Sequence, residues 1–270
     1  MKFSRMTSTA AAGMTLLLLA AAPAIADEEM RPGKAEGLHG SLGLGVGSRP
    51  AYDGASDRQT RLMPNINLFY GDTLFLTGMT AGANLWKHTT AQGLNISAGP
   101  LLALRRGRDE GDNAALAGLG DIDRALDAGA FVRFRTGGWQ ARADVRKDVT
   151  NGDGGTTVNF SVGRGIPVSE KWRLRANLDA SWASAAYMAT FYGVDATQSA
   201  NSGIAQYEAG AGIRSVGASL MADYAIDREW GAYASLRYKR LVGDAADSPI
   251  VANLGSESQV TTSIGIKYRF

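Results

Sequence analysis

Two histidines, His39 and His88, are the chain's whole supply of imidazole, and cysteine is absent. Nucleophilic and general acid–base chemistry near neutral pH draws first on those two side-chain types, so candidates for catalysis are few. His39 and Ser41 fall on one face of an extended segment. No carboxylate lies at a spacing that completes a relay with them, and no residue is marked as a nucleophile. A polar inner wall accounts for the pair, and the sequence predicts a protein that is not an enzyme; a Ser-His or Asp-His site assembled in space stays open as the alternative. With no thiol, disulfides and thiolate metal sites are out of reach.

Charged residues are more abundant. Asp109, Glu110, Asp112, Asn113, Asp121 and Asp123 crowd one polar stretch. Hard oxygen ligands of this kind suit Ca²⁺, but Arg105, Arg106 and Arg108 stand beside them. A solvated loop paired with those arginines is expected, with no metal and no cofactor. A basic set lies elsewhere: Arg133, Arg135, Arg142, Arg146, Arg173, Arg175, Arg237, Lys239, Lys267 and Arg269, against Asp127, Asp144, Asp179 and Asp223. Of these, Arg133, Arg135, Arg142, Arg173, Arg175, Lys267 and Arg269 are the candidate site, an electropositive cluster. It would favour anions if a path runs past it, or an acidic partner surface if arginine–carboxylate pairs plug that path.

What puts these charges on one side is a period of two. The last segment sets Val260, Thr262, Ile264, Ile266, Tyr268 and Phe270 against Thr261, Ser263, Gly265, Lys267 and Arg269. Such alternation is a β-strand. A strand of about ten residues with aromatics at the end of its apolar face is what a membrane-spanning barrel needs, and Tyr268 with Phe270 resembles its insertion signal. Leu126 to Phe134 and Trp139 to Val145 form the clearest hairpin, turning at Thr136-Gly137-Gly138. Trp172 and Trp182 bracket another strand, and ten tilted residues cover about 25 Å, the height of the apolar band. Gly43, Gly45 and Gly47 sit inside a strand pattern with no helix after them. They read as relief of crowding in a curved wall and not as a nucleotide loop.

Eleven segments alternate clearly, counting Leu74 to Trp86 as one strand. A barrel with both termini on one side needs an even number, so about twelve strands are expected, with ten as the alternative. Either residues 203–213 add a strand, or the region before residue 125 divides differently. On the second assumption the turns near 137, 167 and 227 are periplasmic, and the loops near 115, 195 and 248 are extracellular. Residues 184–212 read as a long loop.

The amino terminus sends such a barrel out of the cytoplasm. Lys2 and Arg5, the apolar run Met14 to Ala22 and Ala24-Ile25-Ala26 form a secretory signal peptide. The expected division is residues 1–26 signal peptide, 27–37 periplasmic segment and 38–270 barrel. Loss of Lys2 and Arg5 takes the net charge of +2 to 0, which offers nucleic acid no bulk attraction. No mature stretch approaches about 18 consecutive apolar residues, so helical spans are excluded and outer-membrane lipid is the expected surround of an all-β, antiparallel transmembrane barrel.

The loops carry a resemblance. Gly107-Arg108-Asp109-Glu110 with Asp112-Asn113, then Leu116 and Gly118-Leu119-Gly120-Asp121-Ile122-Asp123, and Leu241-Val242-Gly243-Asp244-Ala245-Ala246-Asp247-Ser248-Pro249-Ile250-Val251 resemble the MipA/OmpV family of outer-membrane proteins. So do Tyr192-Gly193-Val194, Gln198-Ser199-Ala200 and Arg49-Pro50-x-Tyr52-x-Gly54. The resemblance implies a non-enzymatic barrel in the outer membrane of a Gram-negative cell. It also implies a scaffold linking a membrane-bound lytic transglycosylase to a murein synthase. A narrow, anion-preferring solute channel tied to osmotic or antibiotic response, or a surface adhesin, are the alternatives it leaves.

Overall fold

Alternation sorts each strand's residues between lipid and lumen, and that sorting requires a closed sheet. The computed structural model describes residues 37–150 and 154–270. The expected signal peptide, and nearly all of the segment 27–37, lie outside the described residues. Thirteen β segments follow: β1 Leu38–Pro50, β2 Arg58–Tyr70, β3 Leu74–Thr77, β4 Thr80–Ala83, β5 Trp86–Thr89, β6 Asn95–Arg105, β7 Ala125–Thr136, β8 Trp139–Asp148, β9 Thr156–Pro167, β10 Trp172–Ala183, β11 Gly212–Ala225, β12 Trp230–Leu241 and β13 Ser258–Arg269. All pairings are antiparallel, between sequence neighbours except that β4 pairs with β6 and β13 returns to β1, with Leu44 opposite Ile266.

Twelve staves result from thirteen segments. Both β4 and β5 pair with β6, Gly82 opposite Leu101 and Trp86 opposite Ala98, so together they make one interrupted stave. The interruption has a chemical cause in β6. The Leu104 amide donates to the Met79 carbonyl; by the period of two, residue 100 faces the same way. That residue is Pro100, which has no N–H to give.

The sequence expectation of a single strand from Leu74 to Trp86 is corrected here. The chain reverses at Gly78, whose φ of 56° belongs to the left-handed region that glycine enters freely. This extra hairpin makes the number even. No strand forms over 203–211, and β11 begins at Gly212. The loop expected over 184–212 is largely helical: α1 spans Ala185–Tyr192 and α2 Ala196–Ser202, followed later by α3 Asp244–Asp247 and α4 Pro249–Ala252. Among the described residues no helix is long and apolar enough to cross a membrane.

Outward residues form an apolar belt, with Leu44, Leu62, Leu104, Phe160, Leu178 and Ile264 all exposed. In water such a surface would drive aggregation, whereas in lipid it matches its surroundings. Outward charges on β8, β9 and β12 (Lys147, Arg164 and Arg240) fall at the strand ends, clear of the midplane, where an outward Arg or Lys costs about 2–4 kcal/mol. Aromatic rings gather at the short-turn end. Trp172 lies 4.9 Å from Tyr224, Trp230 lies 5.2 Å from Tyr268, and Arg164 caps Trp139 at 5.2 Å.

Candidate functional site: a capped, arginine-lined lumen

The long loops fold inward over the barrel and pack into a lid. Tyr52, Ala55, Leu116, Leu119, Val194 and Ile250 form one buried cluster. Tyr187, Met188, Tyr192, Leu241, Ala245 and Val251 anchor a second. Four loops contribute, so no single one can leave without exposing apolar surface from the others.

The family-like loop residues hold this lid together. Glu110 Oε2 accepts from the Gly118 and Gly120 amides at 3.0 Å each, and Asp121 Oδ1 accepts from the Glu110 amide at 2.8 Å. Asp109 caps Gly111, and Asn113 donates to Asp57. Gly107 has no room for a side chain, because a Cβ would stand 1.9 Å from the Ile122 carbonyl. On the opposite side Ser248 Oγ donates to the Tyr192 carbonyl at 2.6 Å, and Asp244 Oδ2 accepts from the Gly210 amide at 2.7 Å. Gly243 has a φ of 54°, and Pro249 opens α4. Asp123 and Asp247 are exposed.

The expected pairing of the acidic loop with Arg105, Arg106 and Arg108 is corrected. Arg105 turns inward to Asp148 at 2.5 Å and Asp127 at 3.5 Å. Arg108 is buried and donates to the Phe191 carbonyl at 3.1 Å. The loop carboxylates instead cap backbone amides, and Asp112 pairs with Arg61 at 3.4 Å. Amides left without partners at tight turns attract acceptors in this way.

Beneath the lid Asp53 is the junction with the wall. Its carboxylate pairs with Lys239 of β12, with Arg214 of β11 at 3.2 Å, and accepts from the Tyr192 hydroxyl at 2.9 Å. The sequence reading missed this residue, although Tyr52 and Gly54 of the motif flank it. Burial pushes the Asp53 carboxyl up, but Lys239 and Arg214 outweigh it and hold it at about 2. A depressed carboxyl stabilises above its unfolded pKa, near 4, and that stability fades as pH falls from about 4 towards 2. The lid is therefore expected to stay shut from neutrality to about pH 4 and to loosen below it. Limited proteolysis of the 184–211 loop across that range checks this; cleavage that begins already near pH 6 would contradict it.

Below the lid lies a polar chamber of about 440 Å³, lined by Arg142, Asp144, Arg146, Asp179, Arg237 and Lys239 among others. Asp144 accepts from Arg142 at 3.1 Å, Arg146 at 2.8 Å and Asn159 at 3.0 Å, and Asp179 pairs with Arg237 at 2.8 Å. Phe75, which lines the chamber, packs edge to face on the buried Phe131 at 5.3 Å. Arg133 and Arg142 stand opposite each other across β7 and β8 and both lie over these rings.

The candidate basic cluster thus divides. Arg142 lines the chamber, and Arg133 lies buried beside it over the two rings. Arg175 and Lys267 share Asp223, at 2.6 and 2.5 Å. Arg135 donates to Gln140 at 3.0 Å, and Arg173 and Arg269 stand half-buried near the same strand ends. His39 stacks on Phe69, and His88 is exposed beside Trp86. Tyr268 and Phe270 stack at 6.3 Å, and the Phe270 backbone exchanges hydrogen bonds with Gly40 of β1.

Comparison with known proteins follows the same lines. The family model described as MltA-interacting protein MipA matches residues 42–270. Curated relatives named MltA-interacting protein, from Escherichia coli K12 and Shigella flexneri, are each 28% identical over 238 residues, covering 85% of this chain and 90% of theirs. Solved structures that align with it include the outer-membrane OmpT of Vibrio cholerae, 10% identical with a TM-score of 0.40, covering 86% of this chain and 97% of that one. Pseudomonas putida OprB is 11% identical with a TM-score of 0.41, covering 79% and 59%. The chain belongs to the MltA-interacting protein MipA family.

Proposed function

We propose that this chain is an outer-membrane barrel that scaffolds a membrane-bound lytic transglycosylase and a murein synthase and does not act as an open pore. The observation that carries the reading is the lid: with four loops packed into apolar clusters across one end, the barrel presents surfaces and not a passage. Its curated relatives are named for interacting with MltA. In this reading the short turns face the periplasm, and the partners dock on that rim with the help of residues 27–37.

The test joins two measurements on the refolded chain. Photo-reactive side chains placed at Ser169 or Arg228, in the turns after β9 and β11, are expected to cross-link to the transglycosylase of the same cell. Planar-bilayer recordings are expected to be silent. Steady conductance together with absent cross-links would overturn the scaffold in favour of a solute channel, the reading that the polar, basic chamber favours.

A further inference from the structure

Beside Phe75 of the chamber wall, two guanidiniums carry charge that carboxylates among the described residues do not complete. Arg133 is 7% exposed, and its Nε has no hydrogen-bond partner among the described residues; Nη2 of Arg142 is in the same condition. Their guanidinium carbons lie 5.1 and 4.7 Å from the centre of the Phe131 ring, and both also lie over Phe75, at 5.1 and 5.8 Å. The rings hold the two forks side by side and cover one face of each. Asp144 takes the Nε of Arg142, but no carboxylate bonds to Arg133 among the described residues. Two adjacent cations with donors left over, in a site that water reaches poorly, are stable when an anion lies between them.

The wall above repeats the imbalance. Arg142, Arg146, Arg214, Arg237 and Lys239 line the chamber, and among the described residues Asp144, Asp179 and Asp53 are their ion-pair partners. Beside Phe75, Phe160 and Ala180, the remaining lining is mostly hydroxyl and amide, including Asn159, Ser161, Asn177 and Ser181. Planar guanidinium forks match the two oxygens of a carboxylate or a phosphate, and the hydroxyls and amides around them match sugar-like hydroxyl groups. The volume, about 440 Å³, is that of a small-molecule site.

We propose that Arg133 and Arg142, on their Phe75 and Phe131 floor, form a binding site for a small oxyanion, a carboxylate or phosphate carried by a hydroxylated solute. The site is independent of the scaffold reading. With the loop end sealed, the solute reaches it from the short-turn end, past Arg135, Arg173 and Arg175.

Calorimetric titration of the refolded full chain in detergent, at fixed ionic strength in chloride, tests this with three probes: inorganic phosphate, glucuronate and glucose. Saturable binding of phosphate or glucuronate is expected, and none of glucose; which oxyanion binds more tightly separates a phosphate ligand from a sugar acid. The double variant R133Q/R142Q is expected to bind at least tenfold more weakly, while K147Q on the outer rim binds as the parent does. Should the glutamine variant fail to fold, R133K/R142K keeps both charges but loses the forks, and it is expected to weaken binding severalfold. No saturable oxyanion binding to the folded parent, equal binding of glucose, or unchanged affinity in a folded double variant would each overturn the site.

Discussion

Replacing Asp53 with alanine is expected to cost about 3 kcal/mol and to free the lid while the barrel wall stays closed. Among the described residues Asp53 is the carboxylate that ties Arg214 and Lys239 to the loops, and it also holds the Tyr192 hydroxyl. Removing one partner of a buried ion pair typically costs about 3–5 kcal/mol, because the remaining charge is left buried without a counter-ion. Asp53 keeps 32% of its side-chain surface exposed, which places the effect at the low end. The variant is expected to show earlier denaturant unfolding and a new protease site within 184–211, with its β-sheet signal intact. Asp53→Asn should lose nearly as much, since shape is kept and charge is not. The double variant D53L/K239M is expected to recover part of the loss, as apolar replacements of a buried pair often do. Unchanged protease resistance in Asp53→Ala would mean that the apolar clusters alone hold the lid.

A second large effect is expected at Gly45. An added Cβ would stand 2.5 Å from the Ile264 carbonyl and 2.5 Å from the Tyr233 hydroxyl. Tyr233 is buried in the lumen and reaches across the β13–β1 seam, where Gly265 is crowded by the same hydroxyl at 2.8 Å. The hydroxyl can swing away, but the Ile264 carbonyl belongs to the ladder that closes the barrel. Overpacking of this kind costs about 1–3 kcal/mol where side chains can yield, and more where backbone must move. Gly45→Val is therefore expected to cost more than about 3 kcal/mol or to prevent refolding, read as loss of the compact, heat-modifiable band on a gel. Tyr233→Ala added to it should recover only the side-chain share. Full rescue would show that the backbone contact is harmless.

The wall was far more legible than the site. Period-two alternation identifies both faces of β7 and β8 residue by residue, because lipid and lumen impose opposite demands on neighbouring positions. It failed at Gly78, where a hairpin reverses without breaking the apolar rhythm of Leu74 to Trp86. It failed again at α1 and α2, where Ala, Ser and Tyr carry no strong helical stripe and the packing partners are other loops. The loop motifs lie in the lid, where their carboxylates cap backbone amides and do not pair with the neighbouring arginines. Glu110 and Ser248 serve as local acceptor and donor inside a lid, a role that depends on contacts with residues far along the chain, such as Tyr192. Asp53 was invisible for the same reason: its partners lie 161 and 186 residues away.

The barrel is sealed unevenly around its circumference. β2 pairs with β1 over its full length but with β3 only from Asn67 to Tyr70. Gly78 donates to the Ile66 carbonyl, so by parity the backbone of Leu62 and Thr60 points the same way, above the hairpin, where no strand follows. Pro64, lying between, has no N–H to leave unsatisfied there. The 106–124 loop stands in for the missing strand, through Arg61 with Asp112 and Gln59 with the Asp112 carbonyl. A ladder must unzip many bonds at once, whereas this panel is held by side-chain bonds, Arg61 and Gln59 with Asp112 and Asn113 with Asp57. The wall therefore has a weak side: between β2 and that loop, side-chain bonds and not a strand ladder hold it shut against the lipid.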